Sequence, residues 1–75
     1  MARRVDHKGY VITSDSQILP DKRWLPRAVI VQYAGPEARE RLIDGAEPVE
    51  TMVNADDVAI EIGRRWIDEH PDPFA

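Results

Sequence analysis

The stretch NADDVAIEIGRRWIDEH, residues 54–70, reads as a helix from one end to the other. Asn54 offers an N-cap oxygen, and Asp57, three residues on, stands where a capping-box acid reaches back. Asp56 and Asp57 set negative charge against the positive end of the helix dipole. His70-Pro71 closes the run, because proline has no N–H to continue it. At about 100° per residue, Ala55, Val58, Ala59, Ile62, Gly63 and Trp66 fall in one arc. That arc predicts the core face, with Trp66 as its largest anchor. Gly63 costs about 1 kcal/mol in a helix interior, which predicts close approach of another backbone at the groove between Ala59 and Gly63. The opposite face, Asp57, Glu61, Arg64, Arg65 and Asp68, reads as a solvated charge ladder.

Working outward, the upstream residues read as the sheet on which this helix packs. Lys8 to Ser14 is a strand by its Tyr10-Val11-Ile12-Thr13 centre. Ser14-Asp15-Ser16 and Pro20-Asp21-Lys22 are turn signals. Trp24 to Tyr33 is a second strand, with Pro26 near its start, where a missing N–H is tolerated. Gly35-Pro36 breaks it. Residues 37–44 are open to two readings, a helical turn by composition or a third strand through Arg41-Leu42-Ile43. Val49 to Val53 forms a short extended lead into the helix. The expected fold is α+β (β-β-β-α), a small antiparallel sheet of about three strands with one C-terminal helix on one face. Residues 1–75 make a single domain: a flexible arm at 1–7, sheet and loops at 8–53, the helix at 54–70 and a tail at 71–75.

Seventy-five residues bury only about 60–65% of their unfolded surface, so a chain of this size has a thin stability margin and gains from self-association. The composition, 43% apolar and 32% charged, is that of a globular chain. The absence of cysteine excludes disulfides and thiolate metal sites. The N-terminal residues carry no apolar signal segment, and no run reaches the roughly 20 residues of a membrane span, which predicts a cytoplasmic protein with no membrane partner. Net charge is −4, split between a balance of +3 over residues 1–34 and −7 over residues 35–75. The overall sign argues against a dedicated nucleic-acid binder.

Two observations point to a homodimer. Ile60 and Ile67 stack seven residues apart, on a flank of the helix beyond the core arc. Tyr10-Val11-Ile12 and Ala28-Val29-Ile30-Val31 are continuous apolar runs, the pattern of strands covered on both faces, whereas one helix covers only one. Ile60, Gly63 and Ile67 are therefore the candidate contact with a second copy or an unknown protein partner. The alternative is a nucleic-acid-binding regulator, with Lys8, Lys22, Arg23 and Arg27 along a basic sheet edge and Tyr10, Trp24 or Tyr33 available for stacking.

Enzyme chemistry finds little footing. Ser14 and Ser16 lie in a turn without a glycine elbow, and the four glycines are too widely spaced to cradle phosphate. Asp68, His70 and Asp72 straddle a proline-broken helix end, a poor frame for a metal. His70 suits the negative end of the helix dipole. The expectation is a non-enzymatic interaction or regulatory module with no catalytic residues, metal or cofactor.

Gly9-Tyr10-Val11-Ile12, the Trp-led second strand and the closing Ala59-x-x-x-Gly-Arg-Arg-Trp-Ile-Asp68 resemble a family of small uncharacterised bacterial proteins. These share a Tyr-x-Ile first strand and a terminal Arg-x-Trp-Ile-Asp helix. The likeness spans both ends of the chain and leaves 35–50 unmatched. It implies a β-β-β-α arrangement similar to double-stranded-RNA-binding domains. Those domains grip phosphate with lysines at the start of their final helix, where this chain carries Asn54-Ala55-Asp56-Asp57, so the resemblance implies the fold and not the RNA function.

Overall fold

The computed structural model describes residues 3–74. The chain is α+β. Strands β1 (Arg4–His7), β2 (Tyr10–Ser14), β5 (Arg27–Ala34) and β6 (Glu37–Asp44) form an antiparallel sheet in the order β1-β2-β5-β6. Strands β3 (Gln17–Ile18) and β4 (Trp24–Leu25) make a second, two-stranded sheet, and the helix α1 (Met52–Glu69) follows. The class and the C-terminal helix are as expected, but the strands are more numerous than three.

Two tight turns create the additional long strands. Lys8 and Gly9 both take positive φ, 51° and 84°, as a two-residue type I′ hairpin loop requires. This loop returns Arg4–His7 alongside Tyr10–Ser14, pairing Val5 with Ile12 and His7 with Tyr10. The described part of the expected arm is thus an edge strand; Met1 and Ala2 lie outside the described residues. At the other edge, Gly35 at φ 62° precedes Pro36, a sequence suited to a type II′ turn. That turn folds Glu37–Asp44 back on β5 over eight register pairs, so the open reading of 37–44 resolves as a strand. Pro26 splits the expected second strand into β4 and β5.

The core lies between α1 and one face of the sheet. Ile12, Ala28, Ile30, Ile60 and Ile67 form its buried centre, with Val5, Tyr10, Ile43, Ile62, Trp66 and Phe74 packed around it. Two sequence expectations are corrected here. The buried helix residues are Ala55, Asp56, Ala59, Ile60, Gly63 and Ile67, a face centred roughly 70° around the axis from the expected arc, at 100° per residue. Val58 stands exposed. Gly63 is closely approached, but by the side chain of Ile12 and not by a backbone.

Trp66 sits at the rim of the core because its indole N–H needs a partner. It donates to the Pro73 carbonyl at 3.0 Å, drawing the tail back over the sheet. Phe74 then lies 5.9 Å from the Tyr10 ring, under the Arg39 guanidinium. The helix begins one turn early: Thr51 is the N-cap, and its hydroxyl accepts from the Asn54 N–H at 3.2 Å. Asp57 instead pairs with Arg3.

Candidate functional site

Antiparallel register decides which side chains share a face, since opposed residues point the same way. Val5, Ile12, Ile30 and Arg41 form one row toward the helix, and Ser14, Ala28 and Ile43 another. The intervening rows point away from it. The first is Arg4–Thr13–Val29–Leu42 and the second Asp6–Val11–Val31–Glu40. Arg27–Asp44 lies beyond one end and Tyr33–Ala38 beyond the other.

This outward face has an apolar centre on β2 and β5, with charged residues toward its margins. Val11, Val29 and Val31 are half-buried, while Leu42 is 49% and Tyr33 66% exposed. The helix packs on the opposite side. Strand β4 contacts the helix, and Trp24 bridges to Val49 just ahead of it. Among the described residues, no element covers the centre of the outward face. Charges frame it: Arg27 donates from Nε to Asp44 at 2.6 Å, whereas Arg4 and Asp6 have no ion-pair partner among the described residues.

The residues anticipated as a contact lie elsewhere. Ile60 is 4% and Ile67 6% exposed, inside the core of one chain, and Gly63 is buried against Ile12. None of the three is a surface residue, so the flank that looked unsatisfied is filled by the sheet. The continuous apolar run of β5 places Val29 and Val31 on the outward face and Ala28 and Ile30 in the core.

The four candidate basic residues do not form one edge. Lys8 occupies the β1–β2 turn, at the opposite end of β2 from Arg27, and its ammonium pairs with Asp68 at 2.7 Å. His7 donates from Nε2 to the same carboxylate at 2.9 Å. Lys8 first, then His7, holds the Asp68 pKa below the usual aspartate range. Arg23 pairs with Asp21 in the β3–β4 turn, lowering the Asp21 pKa through its backbone N–H and then its side chain. Lys22, at φ 70°, lies in the same turn.

The residues weighed for chemistry are also kept apart. Ser14 is buried and accepts from the Arg3 backbone N–H at 2.7 Å. His70 caps the far end of the helix: its Nδ1–H donates to the Trp66 carbonyl at 2.8 Å, and its ring stacks on the indole at 3.8 Å. Asp72 turns to the Phe74 N–H and Arg39. Among the described residues there is no group of three or more metal-ligating acids or histidines, and no helix is long and apolar enough to cross a membrane.

No protein-family model matches the chain, and neither does any curated protein or solved structure.

Proposed function

We propose that this protein is a non-enzymatic interaction module that works as a homodimer, and that the outward face of the four-stranded sheet is its contact surface. The observation that carries the reading is the apolar strip of half-buried Val11, Val29 and Val31 with exposed Leu42, over which no element packs among the described residues. Burying such a strip gains roughly 25 cal/mol per Å² of apolar area removed from water. Antiparallel sheets pack face to face at about 10 Å by interdigitating side chains of this kind.

Sedimentation equilibrium across micromolar concentrations tests it. The native chain is expected to dimerise, and Val31→Lys to remain a folded monomer. Val31 stands opposite Glu40, so a lysine there gains a cross-strand partner and the monomer fold is kept. A native monomer overturns the reading.

The nucleic-acid reading draws less support, because Lys8, Arg23 and Arg27 are each paired with a carboxylate. Titration with short duplex and single-stranded oligonucleotides decides it. Binding that falls steeply with salt and is lost on Lys22→Ala/Arg23→Ala would restore it.

A further inference from the structure

Resting on the homodimer reading, we infer that the two-fold axis runs across the strands, between the Val29 and Val31 rows, so that Arg4 of each copy faces Asp6 of the other. Aligned packing keeps the strands of two stacked sheets within about 30° of one another. A two-fold in the plane between such sheets then lies close to the strand direction or close to the perpendicular.

The charges on the outward face distinguish these two. An axis along the strands lays β1 over β6 of the other copy. The row Asp6–Val11–Val31–Glu40 then meets itself reversed, putting Asp6 against Glu40 twice. Like charges so apposed at an interface oppose association.

An axis across the strands lays each strand over its own counterpart and exchanges the rows. Val29 then meets Val31, and Thr13 meets Val11. Arg4 lies over Asp6, and by symmetry Asp6 lies over Arg4. These two side chains are exposed and have no ion-pair partner among the described residues of their own chain. The same rotation sets the exposed Tyr33 ring over the Arg27–Asp44 row, where a guanidinium is a favourable neighbour for an aromatic face. At the β6 edge, Leu42 meets the stem of Glu40, whose carboxylate can reach water.

The reciprocal pair makes the arrangement testable by charge exchange. Arg4→Asp and Asp6→Arg each turn two attractions into two repulsions, and each is expected to weaken self-association roughly tenfold or more at low salt. Mixed in equal amounts, the two variants regain both attractions, so native mass spectrometry should show the heterodimer well above the roughly twofold excess over each homodimer that random pairing alone produces. The double variant R4D/D6R should recover the native dissociation constant within a few-fold. Circular dichroism checks that each variant remains folded. Single variants that dimerise as tightly as the native chain, or a mixture without preferred heterodimer, overturn the axis while the contact face stands. A native chain that is monomeric overturns both.

Discussion

A Cβ built on Gly63 would come within 2.5 Å of Ile12 Cγ2, a branch of a fully buried side chain with no room to withdraw. Gly63→Ala therefore sets a helix-propensity gain of about 1 kcal/mol against overpacking that costs roughly 1–3 kcal/mol. We expect net destabilisation, read as a lower urea midpoint at unchanged slope. Asp68 is governed by charge instead of volume. Its pKa is depressed in the folded chain by Lys8 and then His7, so its contribution is present at neutral pH and is lost as pH falls through the folded value. Asp68→Asn should lower stability at pH 7 and make little difference once the native carboxyl is protonated. Urea midpoints at pH 7 and in strong acid measure this, and an equal deficit at both would contradict it. Sequence could flag Gly63 as a close-packing site, but not its neighbour. The Asp68 cluster was not legible at all, because it joins residues 61 positions apart.

Among the elements, the helix was the most legible and still began a turn early. Thr51 and Asn54 are both capping residues, three apart, and spacing alone does not choose between them. Val49, tied to Trp24 by two backbone hydrogen bonds of 2.7 and 2.8 Å, fixes the approach and leaves Thr51 at the cap. Thr51→Ala should cost about 1 kcal/mol and Asn54→Ala distinctly less, by thermal or urea unfolding; the reverse order would return the cap to Asn54. Rotation of the buried face was less legible than helicity. Ile60 and Ile67 fill the space over Ile12 and Ile30, while the indole must keep its N–H in reach of the tail. Strand β1 was hidden because Lys8 is an unusual residue for positive φ and Arg-Val-Asp-His has only one apolar member. In β6, the helix-favouring Glu-Ala-Arg-Glu-Arg run is overridden by the turn at Gly35-Pro36 and the ladder to β5.

Across the whole molecule, the two apolar layers answer differently to the same substitution. Ile60→Asp places a carboxylate in the core at a cost of several kcal/mol, comparable with the entire stability of a chain this size. We expect it to unfold the protein, whereas Val31→Lys leaves the circular dichroism spectrum native. Similar spectra for both would show that the core has been misplaced. The continuous Ala28–Val31 run made the second apolar face legible in advance; which residues lay on it needed the register. The order of elements along the chain has a further consequence, for biosynthesis. Every strand precedes the helix, and hairpins form in about 1–10 μs, whereas ribosomes add only about 5–20 residues per second. From Ala34 to Ile67 the ribosome therefore needs on the order of seconds. Throughout that interval the nascent strands lack their helix, and the apolar face that the helix later covers is bare to solvent. Chaperone demand should accordingly peak before residue 67 emerges and fall sharply once it has.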